Sequence, residues 1–334
     1  MSKFKNLLLL MRPKQWFKSF YVIFGAVPAI FLSPFIPYII VRLLFLGIIN
    51  LVFIQGVIYS LNDISDLEED RKHPEKKKRP IASGKVSKRT AKIFSLLLLL
   101  IGCSIGYYLD FRIFLADLAF LAINLLYSYK PLRLKDRKYL DVLFPALNFP
   151  LRVAVGWWLF EPFNEARFHL NLDVFSNEIV SDSIQTIFFH TPPRIINLTA
   201  EFSTITLSFV SIMGLTYFLA CFLLSMKRLA EKLWLDGAEN MRKSLKSYSI
   251  PMLKALSISF MVISSILFIL LAYSLKYSLM ILTPIFLGFM IWYYRLSFQE
   301  NSPVQKPEKV FTENPKFIST ALISLFIGLV VLLI

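Results

Sequence analysis

Cysteine is nearly absent from this 334-residue chain: only Cys103 and Cys221 occur, each inside an apolar stretch. Without metal or redox spacing they exclude a thiolate-held metal and a dithiol motif, and they read as packing residues. Histidine is as scarce. His73 sits alone in "KHPEK" as a polar contact, and His169 and His190 are too isolated for a metal site. Acidic residues are also short, 22 against 37 lysines and arginines, for a net charge of +15. A nucleic-acid partner does not follow, because the basic residues lie in short connectors between apolar runs, where they set topology and meet lipid phosphates. There is no internal repeat and no low-complexity segment beyond "EKKKR". No cleavable signal peptide is expected either: "LLLL" at 7–10 is too short, and "MRPKQWFK" after it has the character of an interfacial anchor.

Apolar residues, by contrast, are abundant. The chain is 56% hydrophobic and 15% aromatic, with a mean hydropathy of +0.60, which is too apolar for a soluble domain and points to a polytopic membrane protein. Against the roughly 20 residues a helix needs to cross the bilayer core, about nine spans are predicted, near 17–35, 38–61, 91–109, 111–129, 139–160, 202–226, 251–273, 276–296 and 317–334. They are too long for barrel strands, so the fold class is all-α: one membrane-embedded helical bundle over 1–334, with a polar outer loop at 161–201. If nine helices alternate, the basic N-terminus and the basic stretches near 62–90, 130–138, 227–249 and 297–316 share one side. The positive-inside rule makes that side cytoplasmic, with the N-terminus cytoplasmic, the C-terminus outside and the active site facing the cytoplasm of a multi-pass cell-membrane protein.

The polar island "NDISDLEEDRKHPEKKKRPIASGK" at 62–85 breaks the apolar pattern most sharply. Asp63, Asp66 and Asp70 are spaced by three and four residues, which on a helix extending the second span puts all three on one face. Such a carboxylate face repels itself unless a cation sits against it. Clustered hard oxygens suit Mg²⁺, which uses one or two carboxylates and completes its octahedron with phosphate oxygens and water. Asn62 adds a neutral oxygen or a donor, and Arg71, Lys72 and Arg79, with the lysines at 76–78, offer partners for phosphate. Carboxylates for a metal beside cations for phosphates describe a diphosphate site. The plainer alternative is a solvated connector whose lysines only fix topology.

"NDISDLEED" followed by "RPIASGK" resembles the first aspartate-rich signature of the UbiA superfamily of intramembrane prenyltransferases. Within it, "MRPKQWFKS" at 11–19 and "DRKHPEKKKRPIASGKVS" resemble the decaprenyl-phosphate phosphoribosyltransferase branch, also called DPPR synthase, as do "YS" at 127–128, "LK" at 134–135, "LD" at 140–141, "PLRVAVG" at 150–156, "KRLAE" at 227–231 and "MRKSLKSY" at 241–248. That resemblance implies transfer of phosphoribose from 5-phosphoribosyl 1-diphosphate to a polyprenyl phosphate, with Mg²⁺ on Asp63, Asp66 and Asp70. It implies anion contacts at Lys14, Lys135, Arg152, Lys227, Arg228 and Arg242, and phosphate hydrogen bonds from Tyr127 and Tyr248. Asp141 and Glu231 are the carboxylates that would ease developing positive charge at the ribose. The chain departs from the family in Ser19, where asparagine is common, and in the length of the outer loop.

A physical argument favours the branch. Ordinary members carry a second aspartate-rich motif, whereas the corresponding loop here offers Lys227, Arg228, Lys232 and Arg242 around Glu231. One acidic motif with several basic ones suits three phosphate groups better than two acidic motifs would. Two other readings stay open: a prenyltransferase of the same fold using a prenyl diphosphate, for which Glu231, Asp236 and Glu239 are the available second carboxylates, and a transporter or channel, which would favour inverted repeats or several ionisable residues deep within spans.

Overall fold

A computed structural model describes residues 3–33, 40–72, 76–160, 198–234, 242–300 and 302–305, with isolated positions between 310 and 331. The described residues are helical with no strand. In chain order the α-helices are α1 (Lys3–Leu10), α2 (Val22–Leu32), α3 (Ile40–Ser65), α4 (Leu67–Lys72), α5 (Lys88–Leu109), α6 (Phe111–Ser128), α7 (Leu140–Ala146), α8 (Asn148–Leu159), α9 (Leu198–Trp234), α10 (Ile250–Leu275) and α11 (Thr283–Leu296). A 3₁₀ segment, Pro13–Tyr21, leads into α2.

Among the described residues, eight stretches are long and apolar enough to cross a bilayer, from Pro13–Leu32 to Tyr277–Leu296. Each falls on one of the first eight predicted spans; the ninth, 317–334, lies largely outside the described residues, as do His73 and most of the 161–201 loop. The spans begin and end where local chemistry dictates. Ser87 caps α5 by accepting from the Thr90 amide at 3.0 Å, and Asp110 caps α6 by accepting from the Arg112 amide at 2.6 Å. Both caps satisfy backbone donors that a helix start leaves open.

The two largest apolar clusters among the described residues hold the bundle. One joins α2, α8 and α9 around Trp157, Phe160 and Val22; the other joins α9, α10 and α11 around Phe222, Met226 and Tyr293. Helices α2 and α8 touch backbone to backbone. A Cβ on Gly25 would lie 1.8 Å from the Val153 carbonyl oxygen, and one on Gly156 would lie 1.9 Å from that of Val22, so only glycine permits the approach. The outward faces are themselves apolar, with Leu96, Leu97, Leu100, Val262 and Ile266 exposed. That is the pattern of side chains that meet lipid. The chain is therefore an integral membrane protein.

The connector from α6 to α7 gathers one end of the bundle. Tyr129 donates its hydroxyl to the Leu61 carbonyl at 2.7 Å, Arg133 pairs with Glu69, and the Tyr139 amide donates to the Tyr248 hydroxyl at 2.7 Å. The connector thus ties the island at the end of α3 to the segment that precedes α10.

Candidate active site

Helix α3 runs without a break to Ser65, turns at Asp66 and resumes as α4. This places the island's aspartates where α3 leaves the apolar bundle. Asp63 and Asp70, seven residues apart and both buried, share a face: one atom, Nη1 of Arg79, donates to Asp63 at 3.1 Å and to Asp70 at 2.6 Å. Asp63 also pairs with Arg12, whose guanidinium lies 4.8 Å from the centroid of the Tyr59 ring. Burial pushes the Asp70 carboxyl above the ordinary carboxylate range, against the pull of Arg79 and Lys76. Asp66 points elsewhere, to Lys135 Nζ at 2.7 Å. The expected trio on one face is thus a pair plus one, because the turn at Asp66 rotates its side chain toward the connector.

Among the described residues, no group of three His, Cys, Asp or Glu side chains gathers to hold a metal ion. Asp63 and Asp70 nevertheless bound a cation position, the one that Arg79 Nη1 fills. Two buried carboxylates facing one cation match the habit of Mg²⁺, which uses one or two carboxylates, so the donor set of Asp63 and Asp70 suits that ion.

A second polar cluster forms where α7 meets α9. Asp141 is fully buried and accepts from Arg228 Nε at 2.8 Å, Ser244 Oγ at 2.9 Å and the Tyr248 hydroxyl at 2.7 Å. Arg228 also donates to Glu231 at 3.0 Å, and Arg242 stands 4.0 Å from both Asp141 and Glu231. Burial, then the Asp141 charge, pushes the Tyr248 phenol above its ordinary value, so it stays a donor. Three donors on one carboxylate fix the Arg228 guanidinium in place.

The other expected residues are scattered in environment. Arg152 is buried in α8, donates to the Asn148 carbonyl at 2.8 Å and lies over the Phe120 ring at 4.8 Å; its Nε has no hydrogen-bond partner among the described residues. It does not take Asp141, which Arg228 holds instead. Asn62, Tyr127 and Lys227 are half-buried at the same end of the bundle. Lys14 is exposed, and so are Arg71 and Lys72; Arg71 faces Glu68 at 3.4 Å rather than the buried carboxylates. Asp236 and Glu239 lie outside the described residues.

Arg12 is the residue the sequence reading passes over. It sits just before Pro13 with a left-handed backbone, φ 49°, and that turn carries its side chain to Asp63, 51 positions away. Its sequence signals are its place within "MRPKQWFKS" and at the mouth of an apolar segment, both of which Lys14 shares.

The UbiA prenyltransferase family matches residues 20–321. The chain belongs to that family. It is similar over 152 residues, at 27% identity, to a decaprenyl-phosphate phosphoribosyltransferase of Mycolicibacterium smegmatis, covering 45% of this chain and 47% of that protein. Over 110 residues it is 34% identical to the uncharacterized protein y4nM of Sinorhizobium fredii, covering 33% of this chain and 21% of that one. The matches thus span about half or less of these curated relatives. Among solved structures, a UbiA homolog from Archaeoglobus fulgidus bound to GPP and Mg²⁺ superposes with a TM-score of 0.63 at 18% identity, covering 98% of this chain and 100% of that one. That likeness establishes the fold, a UbiA bundle. Membership of this family leaves the transporter reading without support.

Proposed function

We propose that this UbiA-family protein transfers the 5-phosphoribosyl group of 5-phosphoribosyl 1-diphosphate to a polyprenyl phosphate, on the cytoplasmic side of the cell membrane. One observation carries the reading: the carboxylates of the second cluster are already taken. Asp141 and Glu231 are neutralised by Arg228, which is itself buried, whereas Asp63 and Asp70 are met by partly exposed cations, Arg12 and Arg79, that can be exchanged, so this is the acidic pair that serves a metal. The donor's 5-phosphate and diphosphate and the acceptor's monophosphate make three anionic groups, which need more cations than a single prenyl diphosphate does.

Bound at Asp63 and Asp70, a divalent ion would offset the diphosphate charge and stabilise it as a leaving group. Arg79 then exchanges its two carboxylate partners for phosphate oxygens, and Arg12 and Lys135 stand at the same rim to do likewise. Arg228, held rigid by Asp141, and Arg242, a third exposed, supply the cations for the remaining phosphates. The acceptor is an anion at neutral pH, so its oxygen forms the bond to C1 of the ribose while the bond from C1 to the diphosphate breaks, and no proton has to move. Asp141, first expected to face the ribose, is enclosed by donors and acts through Arg228 as a positioning residue. The acceptor's isoprenoid tail lies along the apolar faces of the bundle.

The test is transfer by the purified protein in lipid nanodiscs with Mg²⁺. The reading expects label from phosphoribosyl diphosphate to appear in a polyprenyl phosphate lipid. Activity with a prenyl diphosphate and none with phosphoribosyl diphosphate would sink it while sparing the fold.

A further inference from the structure

Five aspartates are described as buried: Asp63, Asp70, Asp110, Asp117 and Asp141. Four have an arginine within ion-pairing distance, Arg12 and Arg79 for the first two, Arg112 for Asp110 and Arg228 for Asp141. Asp117 is different. Its partner is the buried amide of Asn50, whose Nδ2 donates to Asp117 Oδ2 at 2.8 Å and to the Gly102 carbonyl at 2.9 Å. The remaining oxygens, Asp117 Oδ1 and Asn50 Oδ1, are both buried without a hydrogen-bond partner among the described residues. Both belong to side chains already joined at 2.8 Å, and as an ionised carboxylate and an amide oxygen they are acceptors only, so neither can satisfy the other.

The site lies deep in the bundle. Asp117 is six residues into α6 and Asn50 ten residues into α3, roughly 9 and 15 Å from the ends of those helices opposite the island at 1.5 Å per residue. Thirteen residues, or about 20 Å along α3, separate Asn50 from Asp63. Helix α5 makes room with "GCSIG": a Cβ on Gly106 would lie 2.3 Å from Asp117 Oδ2. Among the described residues, no lysine or arginine is paired with the carboxyl at this level. From α5 the titratable neighbour is Cys103, Arg112 on the same helix is held by Asp110 at 2.8 Å, and Arg152 on α8 is turned to the Asn148 carbonyl.

We infer that Asp117 is held as the neutral carboxylic acid and forms a reciprocal acid–amide pair with Asn50, an uncharged lock that joins α3 and α6 against the glycine face of α5. A proton on Oδ1 turns one orphan acceptor into a donor and gives the other its partner in the same step. An ionised carboxylate at this depth would be a buried charge with one amide to serve it, the costly arrangement that intramembrane aspartates avoid by pairing or neutralising. The lock is separate from the transfer site and does not depend on what that site does.

Infrared spectroscopy of the wild-type protein in nanodiscs at neutral pH tests it without any variant. Because the other buried aspartates among the described residues are ion-paired, a carbonyl band of a protonated aspartic acid, identified by ¹³C-aspartate labelling and by its shift in heavy water, is assigned to Asp117 when Asp117→Asn removes it. Asp117→Asn should remove the band while leaving the melting temperature and transfer activity unchanged, since an amide also donates and accepts. Asp117→Leu and Asn50→Leu should each lower the melting temperature by several degrees. Absence of the band in the wild type would overturn the inference, whether Asp117 is then balanced by Arg152 or by a bound cation. So would a band that survives in Asp117→Asn.

Discussion

The two polar clusters at the island end of the bundle use the same residue types to opposite ends. Around Asp63, Asp70 and Asp66 each carboxylate is met by cations from separate segments, and those cations keep some exposure: 29% for Arg12, 25% for Arg79 and 17% for Lys135. Around Asp141 the inner shell is closed, with the carboxylate fully buried, Arg228 at 3% and two hydroxyls completing it, while Arg242 stands at the rim, 32% exposed. A cation that solvent can still reach is cheaper to exchange, even from a buried carboxylate, than a guanidinium buried together with its carboxylate, which is expensive to open. The first cluster is built to trade partners and the second to hold still. A transfer site needs both: carboxylates that can change cations, and a guanidinium that does not drift.

Breaking the closed cluster should have the largest effect. Arg228→Met leaves Asp141 buried without its cation and should destabilise the fold by about 3–5 kcal/mol, read as a lower melting temperature in nanodiscs and reduced yield. If the melting temperature holds, the cluster is not the fixed element described here. The open cluster should break differently. Asp63→Asn should cut turnover by about 10²–10³-fold, equivalent to roughly 3–4 kcal/mol of leaving-group stabilisation, with normal expression, and chelation by EDTA should mimic it. Full activity of that variant would remove the metal from the account. Smaller still is Arg242→Gln at the rim, which should weaken apparent affinity for phosphoribosyl diphosphate or the acceptor about tenfold to a hundredfold, the worth of a charge-assisted contact of about 1.5–3 kcal/mol; unchanged affinity for both would make Arg242 a topology residue. The smallest effect belongs to Arg71→Gln, which faces Glu68 on the exposed side of α4 and should change neither stability nor turnover by more than about 0.5 kcal/mol.

Why some of this was legible in the sequence follows from the same contrast. Span positions come from local composition, so the first eight expected spans and the eight apolar helices agree closely. The island was readable because its aspartates and Arg79 lie within seventeen residues of one another. Arg228 and Asp141 are 87 positions apart, and no spacing rule joins residues on different helices; only the resemblance placed them at one site. Arg12 depended on a left-handed turn that composition does not encode. Asp117 did leave a signal, an aspartate inside the apolar run "LADLAF", which is costly in a membrane unless it is neutral or paired. Its partner on α3 could not be read from that run alone.

Metal binding measured directly, with Mn²⁺ as a paramagnetic substitute and the diphosphate donor present, separates the exchanging cluster from the fixed one. The account expects a signal that is lost in Asp63→Asn and kept in Glu231→Gln; loss of the metal in Glu231→Gln, with Asp63→Asn still binding it, would contradict the assignment of the two clusters.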